Sequence, residues 1–273
     1  LNWLGFDVGT ALFVGAFLWV QGDALMLGLD ALTLLAIGVG ALLTGILHGA
    51  TGMAGGIVMA AILAHLVGIK SAVPVMTVAL VFSHLSRAVM YARDTDWAIA
   101  GRVLLFGCPT IIIGALVFGR ISPAAIAIIF AAFLTVSIPV KHWARHHDIR
   151  TGPGLLAGAS ALWGMLAGNV IGPGFFLAPF LLGTGMNRLT FVGTLATVTL
   201  AMNILKSLVF GATSLVSQDV LFLGVVIGLI TIPGNWLGRS ILRRMRDADH
   251  RVAIDVLTVL MILNFTYLAV DTC

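Results

Sequence analysis

Long apolar runs separated by short polar or basic stretches set the pattern of this chain. Runs of roughly 20 mostly apolar residues, enough for a helix to cross a bilayer, fall at about 71–91, 98–118, 122–140, 189–211, 219–239 and 252–270. Two other stretches have a different texture. Ala31–His48 leads into Gly49-Ala50-Thr51-Gly52-Met53-Ala54-Gly55-Gly56 and then a short apolar run to Val67. Leu155–Ala167 leads into Gly168-Asn169-Val170-Ile171-Gly172-Pro173-Gly174 and a short run to Leu182. The runs after the glycines are too short to cross a bilayer comfortably, and Pro173 with dense glycine disfavours continuous helix. Broken backbone persists inside a membrane only where protein or a polar cavity satisfies it. The pattern predicts a helical hairpin in each stretch, re-entrant or made of two short spans, with its tip near mid-membrane.

The two stretches correspond at a constant offset of 119 residues. Gly45 falls on Gly164, Gly49 on Gly168, Gly55 on Gly174, Gly119-Arg120 on Gly238-Arg239, and the cation Arg87 on Lys206. With 32 glycines in the chain one coincidence means little, but a series at one offset implies an internal duplication. The organisation expected is an extra segment or helix at 1–30, a first repeat at 31–140, a linker at 141–151 and a second repeat at 152–273. Each repeat holds a hairpin and three clean spans, an odd number of crossings, so the second must enter from the opposite face. The fold class expected is therefore an all-α integral membrane protein of two inverted-topology repeats. Such repeats are a route to alternating access, with the substrate between them.

Composition agrees with a lipid solvent: 60% of residues are hydrophobic and 10% charged, with mean hydropathy +1.10. The net charge of +4 is concentrated in loops, and basic stripes with interleaved aromatics, the mark of nucleic-acid binding, are absent. Placing 141–151 in the cytoplasm gathers Arg93, Lys141, Arg145, Arg150, Arg188, Arg243, Arg244, Arg246 and Arg251 on that side, against Lys70 and Arg120 outside, as the positive-inside rule requires. Cys108 and Cys273 have neither metal-ligand nor disulfide-framework spacing, so no metal or cofactor is expected. No phosphate-binding loop of the GxxxxGK[ST] type occurs.

Helix amino ends carry free N–H groups and partial positive charge, and glycine lets backbone approach a ligand. Thr51, Gly52, Gly55 and Gly56 in one half, and Asn169, Gly172 and Gly174 in the other, are candidate lining for an anion site. Close helix packing is the competing reading, since small residues line most intramembrane interfaces. His84 and Arg87 share a helix face with Leu80 and Tyr91; Asn203 and Lys206, at the matched positions, share one with Thr199 and Phe210. These faces would attract an anion, unless Arg87 and Lys206 snorkel to the headgroups. His48 is a candidate for proton coupling, or a buried histidine bonded to a carbonyl. Asp94 and Asp96 beside Trp97 suit a turn and a helix cap. Pocket size is expected to depend on packing around Phe82, Trp163, Phe175 and Phe176.

The glycine-rich hairpins, the Thr/Ser-bearing span after each, and Asp96-Trp97 opening the next span resemble the TauE/SafE sulfite exporter family, also called the toluene-sulfonate uptake permease family. The resemblance covers roughly 31–270. It implies a multi-pass protein of the bacterial inner membrane that moves sulfite, a sulfonate or another small organosulfur anion. A secondary transporter is the function expected, with the anion and the bilayer as its partners. An anion channel is the mechanistic rival. A membrane-embedded enzyme is the rival from another class, but His48, His65 and His84 have no close acidic partner in the sequence.

Overall fold

The computed structural model describes residues 30–51, 54–146, 150–244 and 247–271. The extra segment expected at 1–30 therefore lies, except for Asp30, outside the described residues, as do Gly52 and Met53. Ten helices are described: α1 (Ala31–Thr51), α2 (Ala54–Val67), α3 (Ile69–Met90), α4 (Trp97–Phe118), α5 (Pro123–His146), α6 (Pro153–Asn169), α7 (Gly174–Leu182), α8 (Arg188–Ala212), α9 (Gln218–Arg244) and α10 (Asp247–Asp271).

Local chemistry explains where these helices begin. Asp30 accepts the Thr33 N–H at 3.0 Å, Asp96 the Ile99 N–H at 2.9 Å, and Asn187 the Thr190 N–H at 3.0 Å. Each side chain satisfies one of the free donors of a first turn, so Asp96 is the cap the sequence suggested. Pro153 opens α6, where its missing N–H costs nothing. The interruptions use glycine where the backbone turns left-handed: Gly68 (φ +80°) joins α2 to α3, and Gly172 (φ +80°) lies in the break between α6 and α7.

Among the described residues six helices are long and apolar enough to cross a membrane. Five fall on spans expected from the sequence. The sixth, Leu32–Thr51, is the first limb of the first hairpin: where a re-entrant limb or a short span is expected, one continuous helix is long enough to cross by itself. The expected span at 252–270 falls inside α10. The segments after the glycines are short as expected, 14 residues in α2 and 9 in α7.

The packing is reciprocal. α1 lies along α9, and α6 along α4; α3 contacts α9 and α8; α8 contacts α4; α5 pairs with α10. The short helices sit under these, α2 against α1, α3 and α10, and α7 against α6, α8 and α5. α3 is the most enclosed of the six candidate spans. α1 instead presents Leu32, Leu35, Val39 and Leu43 outward, an apolar stripe that suits lipid contact. Trp97, Trp143 and Trp236 are also exposed, as amphipathic rings near a membrane surface would be.

Two of the matched glycine pairs are seam residues. A Cβ on Gly45 would meet the Thr231 backbone, and one on Gly49 the Asn235 backbone, across the α1–α9 contact. Gly164 is pressed against Gly107, and Gly168 against Gly114 and Ala115, across α4–α6. Lipid provides no hydrophobic drive between helices, so such seams hold by close dispersion contact.

Candidate functional site

The glycine-rich breaks of the two halves meet. A Cβ on Gly56, in the first turn of α2, would lie 3.7 Å from Ile171 Cγ2. One on Gly172 would lie 3.4 Å from Ile57 Cβ. Between them is a cavity of about 20 Å³, walled by Gly56, the 171–174 break, His48 from α1, Leu80 and His84 from α3, and Leu195, Thr199 and Met202 from α8. The amino ends of both short helices thus reach one cavity, and three of the candidate glycines, Gly56, Gly172 and Gly174, line it.

His48 is the most connected polar group in the cavity wall. It is 4% exposed; the Gly56 N–H is directed at its Nδ1 at 3.2 Å, and an Arg87 terminal guanidinium nitrogen is 2.8 Å from its Nε2. The His84 ring stands edge-on to it, centroids 5.2 Å apart, and His84 Nδ1 is buried with no hydrogen-bond partner among the described residues. Arg87 itself is not in the cavity wall. It lines a second, smaller space of about 10 Å³ with Gly49, Tyr91, Asn235 and Arg239.

Lys206 is fully buried. Its ammonium donates to Ala167 O at 2.9 Å and Val170 O at 3.2 Å, the carbonyls left open where α6 stops, and lies 5.3 Å from the Phe210 ring centroid. A cation there is favoured by the negative end of the helix dipole. Neither Lys206 nor Arg87, at 3% exposure, reaches outward to headgroups.

The remaining candidates lie apart from the cavity. Thr51 bridges the first break, donating to Leu47 O at 2.7 Å and accepting the Ala54 N–H at 3.1 Å. Gly55 packs where a Cβ would strike Thr44 O and His48. The Asn169 amide donates to Met165 O at 3.0 Å, and that of Asn203 to Thr199 O at 2.8 Å. Phe82, Trp163, Phe175 and Phe176 do not form the cavity wall; Trp163 packs on Gly107 and Phe82 on Gly228. Leu80, Ile171, Pro173, Leu195, Thr199 and Met202 take that place. Of these, Leu80 and Thr199 were legible as residues one turn before His84 and Asn203. Asn235, fully buried in α9 and 2.9 Å from Ser83 Oγ, carried one signal, an amide in the middle of an apolar run.

A multi-pass helical membrane protein whose broken helices meet at an interior cavity is built as membrane transporters are. The family model for the sulfite exporter TauE/SafE matches residues 34–265, and the chain belongs to that family, one of membrane transporters and not of enzymes. No curated protein and no solved structure matched the chain.

Proposed function

We propose that the protein is a secondary transporter of a small sulfur-containing anion (sulfite, a sulfonate or a related organosulfur anion), working by alternating access of two inverted repeats. The observation that carries this is the meeting of the α2 and α7 amino ends, with His48 and His84, at one cavity. Partial positive charge from two helix termini and donors in a wall otherwise mostly apolar favour an anion over a cation. A water needs about 10–15 Å³ of such space, so a cavity of about 20 Å³ holds one or two waters. A sulfo group needs more, and the walls must part for it to enter. A site this narrow suits a carrier better than an open pore.

The reciprocal packing supports the repeat reading. α1 on α9 answers α6 on α4, each pair related by the 119-residue offset, as expected for repeats at 31–140 and 152–273 about the 141–151 linker. Loop charge sets the linker in the cytoplasm, and the family's character points to the bacterial inner membrane.

The test is counterflow. Purified protein in liposomes preloaded with sulfite, or with a short sulfonate, should accumulate labelled anion against its gradient and saturate. Flux that neither saturates nor counterflows would move the reading to a channel. Failure of every small sulfur anion to move would end the substrate assignment.

A further inference from the structure

His48 stands between two hydrogen-bond donors. The Gly56 N–H approaches Nδ1 at 3.2 Å, and Arg87 approaches Nε2 at 2.8 Å. A guanidinium only donates, and a neutral imidazole has one acceptor nitrogen and one N–H. Both contacts cannot be hydrogen bonds to the same neutral ring. The shorter contact has a charged donor and is the stronger, so Nε2 keeps its lone pair and Nδ1 carries the proton. That leaves Nδ1–H and the Gly56 N–H side by side at the wall of the cavity, with no other acceptor for either among the described residues. Unsatisfied donors are costly in a water-poor interior, and one oxygen in the cavity, placed beside both, would accept from each.

A second observation points into the same space. His84 is 6% exposed, lines the cavity, and has a buried Nδ1 with no partner among the described residues. Arg87, by contrast, opens on the separate space beside Tyr91 and Arg239. We infer that Arg87 does not touch the transported anion but fixes the tautomer of His48, so that His48 Nδ1–H and the Gly56 N–H form a donor pair for one oxygen of an oxyanion in the cavity. His48 is then the binding residue and Arg87 its positioning residue. The inference rests on the anion-transport reading for its ligand, but the tautomer can be read without transport.

The experiment has two arms. In bilayers, solid-state NMR of ¹⁵N-histidine-labelled protein with sulfite should show His48 protonated at Nδ1 and not at Nε2, and Arg87→Ala should release it to the Nε2–H form. In liposomes, Arg87→Ala should weaken apparent sulfite affinity by about tenfold, the equivalent of ~1.4 kcal/mol. His48→Asn, whose amide N–H reaches about where Nδ1–H does, should keep most of the affinity, and His48→Gln should not. Adding Arg87→Ala to His48→Asn should then cost little more, because residues acting through one another are not additive. An Nε2–H tautomer in the sulfite-loaded wild type overturns the inference, and this reading suffices should Arg87→Ala not fold. An equal loss from Arg87→Ala in both backgrounds also overturns it, by placing Arg87 on the anion. If the wild type moves no sulfite, the transport reading falls, while the tautomer with and without Arg87 still decides the arrangement at His48.

Discussion

Two alanine substitutions on one helix should move stability in opposite directions. Gly168 and Gly158 both lie within α6. A Cβ on Gly168 would stand 2.5 Å from Gly114 C and 2.6 Å from Gly114 Cα, whereas one on Gly158 meets nothing within 4 Å. Carbon atoms rest at about 3.5–4.0 Å, and backbone cannot swing aside as a side-chain tip can. The α4–α6 seam must therefore open by about 1 Å at Gly168→Ala. A gap of that order forfeits a quarter to a half of a well worth ~0.1–0.2 kcal/mol per atom pair. Over roughly 40 pairs, as many as one buried leucine makes, the loss is about 1–4 kcal/mol. The helix preference of alanine over glycine returns up to ~1 kcal/mol, leaving a net destabilisation of up to about 3 kcal/mol, against the ~1–3 kcal/mol usual for overpacking. Gly158→Ala receives only the helix term and should stabilise by ~0.5–1 kcal/mol.

The assay is thermal unfolding of wild type and both variants in one detergent, followed by tryptophan fluorescence. At ~2–4 °C per kcal/mol for a chain of this class of size, Gly168→Ala should melt several degrees below wild type and Gly158→Ala slightly above it. α6 runs directly into the break that walls the cavity, so Gly168→Ala should also lose counterflow, and Gly158→Ala should keep it. Equal midpoints for the two variants would show that α4 and α6 do not touch at this glycine.

Three further outcomes follow from the cavity and its supports. Gly172→Ala places a side chain at φ +80°, a strain of ~1–2 kcal/mol, and should lower both the melting midpoint and counterflow; a variant indistinguishable from wild type would contradict the left-handed turn. Lys206→Met removes two charged hydrogen bonds to α6 carbonyls, each worth ~1.5–3 kcal/mol where the donor is charged, but nothing from the cavity wall. It should slow transport and lower thermal stability with apparent KM for sulfite unchanged within about twofold, and a large rise in KM at constant rate would instead put the ammonium on the anion. Thr199→Val should change sulfite affinity by less than about threefold and stability by less than ~1 kcal/mol, because its hydroxyl already donates to Leu195 O at 2.6 Å; a tenfold loss of affinity in transport titrations would show that it turns to the anion.

Much of the architecture was legible because lipid makes the code simple. A span must be long and apolar, and five of the six candidate spans could be read directly. The breaks were legible where glycines cluster, with Pro173 in the second half; a lone proline such as Pro74, Pro109 or Pro233 sits inside continuous helix, where neighbouring groups re-satisfy the backbone. The end of α1 was less legible: Gly49 opens the glycine-rich run that reads as the break, yet it lies in continuous helix and, with Gly45, serves the α9 seam. The site was half legible. Glycines that let helices touch and glycines that admit a ligand have the same letter, and only the partner distinguishes them: Gly55 faces Thr44 and His48, whereas Gly56, the next residue, faces the cavity. Leu195 and Met202 gave no sign, because an apolar residue lining a cavity looks like one in the core.

The chemically informative positions are those where the 119-residue correspondence is broken. Arg87 and Lys206 correspond, and each docks on the end of the long helix preceding the break in its own half. Arg87 meets position 48, and Lys206 meets position 167, its counterpart at the same offset. Position 167 is alanine and offers only its backbone carbonyl, an acceptor with a single state. Position 48 is histidine, and its ring can exchange which nitrogen accepts. The cation of the second half is thus locked to a fixed acceptor and serves to hold α6 where it ends. The cation of the first half bears on a group that can answer an occupant of the cavity. On the transport reading proposed above, helices matched by the offset but carrying unequal partners would give one fixed wall and one responsive wall, the responsive one being that with His48, Gly56 and His84.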